Sequence, residues 1–193
     1  TGAISTSFAF ASPGIYTVQL SVDDGCGGQD SANTVAGKSA LVFVFDPISS
    51  LASGSGELLS PAGSLTSSPA DSGKALFSFS CSYNNGALPP KGGATAFQFG
   101  SLNFQSSKYD FLVVAGAKGV FRGTGTINGT GNFGFLMTVL DGKIKGAGGI
   151  DRLRLKIWDK DNGDAIVYDN QMGAPDTADP ASALRSGSVS VGK

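Results

Sequence analysis

The sequence predicts an all-β fold, and three observations indicate it. Runs of alternating apolar and polar residues return at short, regular spacing, while no segment of ten or more residues has convincing helical periodicity. Glycine supplies 29 of the 193 residues, about twice its usual share of roughly 7%, as expected for many tight turns. Hydrophobic residues make up 40% of the chain and charged residues only 15%, so there is material for a core, and solubility rests on Ser, Thr, Asn and Gly.

The first 46 residues contain three strand signals, over 5–10, 15–22 and 40–45. Ser12-Pro13-Gly14 divides the first two and has the residue types of a tight turn. Alternation in the second signal predicts a half-buried strand whose apolar face consists of Tyr16, Val18, Leu20 and Val22. Three strands cannot close a sandwich alone, so this face needs a partner.

The stretch from Phe8 through the Ser12-Pro13-Gly14 turn to Asp24 resembles the end of a polycystic-kidney-disease (PKD) repeat. This family is an immunoglobulin-like sandwich common in secreted bacterial proteins. The match covers the last strands of the repeat, and the earlier half with its Trp/Phe-Gly-Asp-Gly motif is missing. The resemblance implies a partial immunoglobulin-like (PKD) sandwich segment over residues 1–46 and a secreted or cell-surface location.

Residues 47–74 are dominated by Ser, Gly, Pro and Ala, which predicts a connection with one short strand at 57–60. Strand signals then define an all-β module over 75–193, an antiparallel β-sandwich or barrel-like domain. Asn128-Gly129 and Asn162-Gly163 mark two hairpin turns, because Asn-Gly suits turns that need positive φ at both central residues. The predicted strands are 75–83, 95–104, 109–115, 119–127, 132–140, 152–159, 165–169 and 186–191.

Residues 54–191 resemble a module that often follows PKD repeats in secreted bacterial proteins. The similarity rests on Ser60-Pro61-Ala62-Gly63 and on the stretches 109–114, 121–129 and 151–159. This resemblance implies secretion and an accessory role, and it implies no particular activity or ligand.

Composition excludes several functions. The net charge is −1 with scattered Lys and Arg, so neither nucleic acid nor an anionic membrane surface is an expected partner. No apolar run approaches the roughly 20 residues of a membrane span. Because histidine is absent, the chain has no Ser-His-Asp or Cys-His nucleophile and no usual zinc site. The only glutamate is Glu57, and nothing places two acids across a cleft. We therefore predict a non-catalytic protein with no catalytic residues.

The two cysteines, Cys26 and Cys81, are too far apart for a CxxC motif. A disulfide between them and a free, inward-facing Cys81 are both compatible with the sequence.

The densest group of oxygen ligands is formed by Asp159, Asp161 and Asp164, within six residues around a turn. Their carboxylates predict a Ca²⁺ site, since calcium takes oxygen ligands. The alternative is a solvated hairpin tip in which Asp and Asn bond their own backbone.

Aromatic residues offer a second candidate surface. Trp158 and Tyr168, with Tyr83 and Tyr109, are platforms on which a sugar ring stacks if they are exposed. The alternative interpretation is that these side chains pack in the core.

Three functions follow. The first is an extracellular interaction or spacer module of a larger secreted or surface protein, stiffened by Ca²⁺ if the aspartates bind it. The second is a carbohydrate-binding accessory domain of a secreted hydrolase, which needs an exposed row of aromatics and polysaccharide as partner. The third is a structural subunit that assembles by strand exchange.

The partner of the N-terminal strands is the 75–191 module, another copy of the chain, or the missing half of the repeat in a longer polypeptide. The sequence favours another chain or the missing segment, because residues 47–74 have the composition of a linker.

Overall fold

The computed structural model describes residues 6–192. The all-β prediction is confirmed, since this range contains fifteen strands and no helix. The strands are β1 (Gly14–Thr17), β2 (Leu20–Asp23), β3 (Gln29–Ala32), β4 (Thr34–Val35), β5 (Lys38–Ser39), β6 (Leu41–Val44), β7 (Leu51–Ser60), β8 (Gly73–Ser82), β9 (Ala96–Phe99), β10 (Leu102–Ala115), β11 (Lys118–Ile127), β12 (Thr130–Leu140), β13 (Arg152–Asp159), β14 (Ala165–Asp169) and β15 (Leu184–Gly192).

Within the described range, no helix has the length and apolar character needed to cross a membrane.

Nine of the strands form one antiparallel sheet in the order β14-β13-β12-β11-β10-β9-β8-β7-β15. The sheet curls around a core that is rich in aromatic rings, because alternate residues of each strand point to its inner face. Its largest fully buried side chains are Tyr168, Phe97, Phe104, Phe121, Phe135, Leu58, Leu65, Leu112, Met137, Leu153, Leu155 and Ile157.

Most strands predicted after residue 75 lie within two residues of their expected bounds. The exceptions concern 95–104 and 109–115. The first region forms the β9–β10 hairpin around Gly100-Ser101, and the second is the end of the long strand β10. Periodicity therefore located the sheet correctly, and it missed one tight turn.

Residues 51–60 differ from the sequence-based expectation, because they form the ten-residue strand β7 rather than a connection. The short strand expected at 57–60 is the end of β7. Small residues are required here by the close approach of β15. A Cβ atom added to Gly56 would lie 2.2 Å from the carbonyl oxygen of Ser186, and one added to Gly54 would lie 2.8 Å from that of Ser188. The Ser- and Gly-rich composition thus serves strand packing rather than flexibility.

The two Asn-Gly hairpins have different turns. Asn128 (φ 52°) and Gly129 (φ 81°) both adopt the left-handed conformation between β11 and β12, as predicted. In the second hairpin, positive φ falls instead on Gly163 and Asp164, both at 61°. This hairpin is present, but its turn spans residues 160–164 and is not the expected two-residue turn.

The sheet closes where the chain enters β15. Leu153 N donates to the carbonyl oxygen of Ser182 at 2.9 Å, and Leu184 N donates to that of Asp151 at 3.0 Å. The start of β15 therefore lies beside β13, while the rest of it pairs with β7. The chain before β15 thus joins the two ends of the sheet.

Further along β15, two carboxylates replace a neighbouring strand. Val189 N donates to Asp151 Oδ2 at 2.9 Å, and Val191 N donates to Asp141 Oδ2 at 3.2 Å. The other oxygen of Asp151 accepts from Gly142 N at 2.8 Å, and that of Asp141 accepts from Lys143 N at 3.0 Å. These bonds satisfy the edge donors that would otherwise remain unpaired.

The opposite edge, formed by β14, is covered by the loop between β7 and β8. Thr66 N donates to the carbonyl oxygen of Val167 at 3.0 Å, and Asp169 N donates to that of Ser64 at 2.9 Å. Both end strands of the nine-stranded sheet therefore have partners along part of their outer edges.

The N-terminal segment forms three two-stranded pairs, β1–β6, β2–β3 and β4–β5. The expected strand over 15–22 is interrupted at Val18 and Gln19. The first expected strand is not formed by residues 6–10, and Ser5 lies outside the described residues.

The pair β1–β6, called the ribbon below, packs on the outer face of the curled sheet. Ile15 lies against a buried cluster of Val120, Leu136 and Trp158. The ring centroids of Phe43 and Phe111 are 4.4 Å apart. The module of the same chain therefore covers the inner face of the ribbon. The expectation that another chain or a missing segment covers the Tyr16, Val18, Leu20 and Val22 face stays a prediction.

The apolar face expected to be buried is instead largely in solvent. Val18, Leu20 and Val22 are 46%, 57% and 54% exposed. Tyr16 is half-buried on Phe10, with ring centroids 4.5 Å apart. The prediction of a half-buried strand is wrong for Val18, Leu20 and Val22, because the strand is interrupted after β1. The contact with the buried cluster is made by Ile15, which points to the opposite face from Tyr16.

The two cysteines are free: Cys26 is exposed and Cys81 is buried. Burial raises the pKa of the Cys81 thiol to about 12. Cys81 is thus an inward-facing core residue, one of the two arrangements compatible with the sequence.

We predict that Asp151→Asn destabilises the fold. An amide has one acceptor oxygen, so one of the two backbone donors on Asp151 would face an NH₂ group. An unsatisfied buried donor costs about 1–3 kcal/mol, and each kcal/mol lowers Tm by about 2–4 °C in a chain of this size. Thermal unfolding checks the shift. Asp71→Asn is the control, since Asp71 is exposed. Equal Tm values for the two variants would contradict a closing role for Asp151.

Candidate functional site

A cleft of about 530 Å³ lies between the N-terminal segment and the outer face of the sheet. Its volume falls within the range of about 300–1,000 Å³ typical of ligand pockets. The roof comes from β5 and β6, the floor from β11, β13 and β14, and one end from the segment after β14. The lining residues are Lys38, Ser39, Leu41, Phe43, Arg122, Lys156, Trp158, Asp164, Ile166, Ala174, Pro175 and Asp176.

The register of β11, β12 and β13 determines which side chains lie next to one another in the floor of the cleft. Arg122 on β11 lies opposite Leu136 on β12, which lies opposite Lys156 on β13. Outward-facing residues of the three strands thus form a row across the sheet. Trp158, two residues beyond Lys156 on the same strand, shares its face.

Trp158 lies against the sheet and under Arg122. A Cβ atom on Gly134, its cross-strand partner, would be 2.3 Å from the indole ring, so only glycine leaves room for the ring there. The guanidinium carbon of Arg122 is 5.2 Å from the ring centroid, and Lys156 Nζ is 6.0 Å from it. These distances are those of cation–π contacts. Trp158 is consequently only 9% exposed.

Two ion pairs span the cleft. Lys156 Nζ lies 2.7 Å from Asp176 Oδ1, which links the floor to the end wall. Lys38 is paired with Asp164, which links the β4–β5 hairpin to the β13–β14 turn. The hydrogen bond from Lys38 holds the pKa of Asp164 below its usual range. Asp164 is therefore ionised at neutral pH.

Arg122 differs from the two lysines. Its nearest acid is Asp110, with 3.9 Å between Nε and Oδ2, beyond hydrogen-bond distance. Its side chain is 45% exposed. A guanidinium carries five N–H donors in a fixed fork, and none of them has a direct hydrogen-bond partner within residues 6–192.

The end wall is held by a buried ion pair. Arg154 and Asp169 have side chains only 3% and 6% exposed, with Nη2 and Oδ2 2.8 Å apart. Arg154 also donates to the carbonyl oxygens of Ala174 at 2.8 Å and Pro175 at 2.7 Å. Two of the charge-assisted bonds of Arg154 go to Asp169, and the two to Ala174 and Pro175 fix the segment that carries Asp176.

The structure separates the three aspartates of the expected calcium site. Asp159 Oδ1 accepts from Asp161 N at 3.0 Å, as in a turn in which Asp bonds its own backbone. Asp161 Oδ1 accepts from Asn132 Nδ2 at 3.0 Å, and Asp164 is paired with Lys38. In the described part of the chain, no group of three or more His, Cys, Asp or Glu is placed to hold a metal ion. Calcium binding stays a prediction from the sequence.

Tyr168 is not available to a ligand, which corrects its assignment as a stacking platform. It is fully buried on the inner face, where its hydroxyl oxygen lies 2.9 Å from Ser60 Oγ. Its ring packs 4.7 Å from that of Phe97. Tyr83 and Tyr109 are each only 6% exposed. Of the four expected platforms, Trp158 alone lies in the cleft.

No protein-family model, curated protein or solved structure matches this chain. The resemblance of the N-terminal segment to a PKD repeat stays a prediction.

Sequence reasoning missed most of the cleft. Arg122, Lys156, Lys38 and Asp176 come from four separated parts of the chain, and no sequence motif joins them. One signal was available, because Lys156 lies between Leu155 and Ile157, and Arg122 follows Phe121, in predicted strands. That signal indicates outward-facing charge, but it does not show that the two residues meet.

The calcium hypothesis predicts a rise in Tm on adding Ca²⁺, by the free energy RT ln(1 + [L]/Kd) when only the native state binds. The rise and the heat of binding in calorimetry should disappear in Asp161→Asn. They should persist in Asp71→Asn, which changes an exposed acid elsewhere. The absence of any calcium heat, with a Tm indifferent to chelator, would rule the site out.

Proposed function

We propose that this chain is a non-catalytic, extracellular interaction module of a larger secreted or surface protein, and that it docks through its N-terminal strands. The observation that carries the proposal is the apolar face of Val18, Leu20 and Val22, each about half exposed. This face stands on a segment anchored to a rigid sheet.

The exposed face has the features of an interaction surface. Its residues alternate with polar ones, which is the pattern of a strand that buries one side. Exposed apolar side chains grouped in this way mark sites where proteins meet.

The backbone around this face is also open. In the described range, β2 and β3 pair only with each other, so each has a free edge. A strand from another domain or another copy adds to such an edge by β-augmentation. The curled sheet is a poorer site for strand exchange, because the outer edges of β14 and β15 already carry hydrogen bonds. Assembly by strand exchange, the third candidate function, is therefore confined to the N-terminal hairpins.

One local contact supports the proposal that the N-terminal segment is part of an immunoglobulin-like sandwich, which a neighbouring domain would complete. The hydroxyl of Tyr16 donates to the carbonyl oxygen of Ser12, four residues upstream, at 2.8 Å. A tyrosine that bonds the backbone just upstream is also a feature of immunoglobulin-like sandwiches. This contact and the resemblance of residues 8–24 support a neighbouring β domain as the natural partner.

A flat polysaccharide-binding surface has less support. That function needs an exposed row of aromatics, whereas Phe8 is the only exposed aromatic side chain among residues 6–192. The cleft remains the place where a sugar would bind.

The arrangement of the acids supports a non-catalytic role. General acid catalysis needs a carboxyl group that holds its proton near neutral pH. Lys38 lowers the pKa of Asp164, and Asp176 lies in an ion pair with Lys156. The two acids of the cleft are therefore arranged as charge partners of lysines.

We predict that the chain turns over no common polysaccharide, ester or peptide, because it has no histidine and both acids of the cleft are paired with lysines. A broad substrate screen with product detection checks this. Turnover that disappears in Asp159→Asn or Asp164→Asn would show that the chain is an enzyme.

We predict that the N-terminal face drives self-association when no other partner is present. The double variant Leu20→Thr, Val22→Thr keeps β propensity but removes the apolar face. It should stay monomeric at concentrations where the wild-type chain associates, and its stability should change by no more than about 0.5 kcal/mol. Sedimentation velocity and thermal unfolding give the two readouts.

The matched control is Leu59→Thr, which changes a leucine of similar exposure (51%) on β7. This variant should associate like the wild-type chain. A wild-type chain that stays monomeric at every concentration would contradict an interaction through the face. A large fall in the Tm of the double variant would show that the face is buried within the chain itself.

A further inference from the structure

The guanidinium of Arg122 in the cleft has hydrogen-bond donors that are available to a ligand. It is 45% exposed, it lies over the indole of Trp158, and its nearest carboxylate oxygen is 3.9 Å away. The contact with the indole restrains the orientation of the guanidinium, which lowers the entropy lost when it binds. A carboxylate fits the free fork of an arginine through two parallel hydrogen bonds.

The two acids of the cleft indicate which chemical class of ligand fits beside Arg122. Asp164 and Asp176 also line it, and a carboxylate only accepts hydrogen bonds. A ligand that only accepts hydrogen bonds, such as a sulfate ion, would offer these two acids no donor. A saccharide in which each ring carries one carboxylate and hydroxyl groups would satisfy both the guanidinium and the acids.

Apolar groups complete the lining and fit the C–H face of a sugar ring. Phe43 and Leu41 lie in the roof, with Ile166 and Pro175 at the side and end. The pairs Lys38–Asp164 and Lys156–Asp176 are partly exposed. Ion pairs that are partly exposed to water are weak, so hydroxyl groups can compete for their carboxylates.

We propose that the cleft binds an acidic saccharide, with the uronate carboxylate on Arg122 and the sugar hydroxyls on Asp164 and Asp176. This site is separate from the N-terminal face. Lys156, whose Nζ is 6.0 Å from the indole centroid, adds positive charge on the same side of the cleft.

The single tryptophan makes the proposal directly measurable. Trp158 is the only tryptophan in the chain, and it lies in the floor of the cleft. Its fluorescence should therefore change when trigalacturonic acid binds to the full chain. Binding should weaken at high salt, because the main contact is between charges.

Arginine variants test the carboxylate contact. Arg122→Met should weaken the binding of trigalacturonic acid at least tenfold, and Arg122→Lys should recover only part of it, because lysine lacks the fork. Arg185→Met is the matched control, since it removes the same charge from an exposed position on β15, outside the cleft lining. It should bind like the wild-type chain. Circular dichroism establishes that each variant is folded.

Three results would overturn the proposal. The first is no change in fluorescence or heat with trigalacturonic acid. The second is equal binding by Arg122→Met, or equal binding of the neutral trisaccharide maltotriose by the wild-type chain. The third is preferential binding of a tri-glutamate peptide, which would make the cleft a peptide site. The Leu20→Thr, Val22→Thr variant should keep saccharide binding, so failure of this site and failure of the N-terminal face are distinguishable.

Discussion

The curled sheet depends on how the backbone donors of its last strand are satisfied. A nine-stranded sheet has two edges, and unpaired edges attract other strands. Here the chain before β15 pairs with β13, and the carboxylates of Asp141 and Asp151 then accept the N–H groups of Val191 and Val189. A carboxylate reaches two donors from a loop and needs no further strand. The outer face of the sheet stays continuous as a result, and both the ribbon and the cleft rest on it.

The positions of most strands could be predicted because the signals are local. Alternation and turn residues belong to one segment, and Asn128-Gly129 forms the turn that its residue types require. The first six residues of strand β7 were missed because their small side chains have the composition of a linker. Their role depends on the closeness of β15, which lies more than a hundred residues further along the chain. Composition shows that the side chains of β7 are small, but it does not show that β15 packs closely against them.

The cleft was less predictable for the same reason. Trp158 and Asp164 were selected from one acidic, aromatic stretch, and both line the cleft. Arg122 joins them only through the register of three strands. Tyr168 was misassigned because alternation gives two faces without saying which one the curl of the sheet encloses. Alternation placed the apolar residues of β2 on one face, but it did not show that this face is exposed in the folded chain.

The ribbon takes part in two surfaces at once. Phe43 on β6 lines the cleft and packs on Phe111, and β1 leads directly into the exposed strand β2. A protein that binds β2 and displaces the ribbon would alter the roof of the cleft. Thermodynamic linkage then requires that a ligand in the cleft change the affinity for that protein by the same factor. In that case the ribbon would couple two equilibria, the binding of a protein to β2 and the binding of a ligand in the cleft.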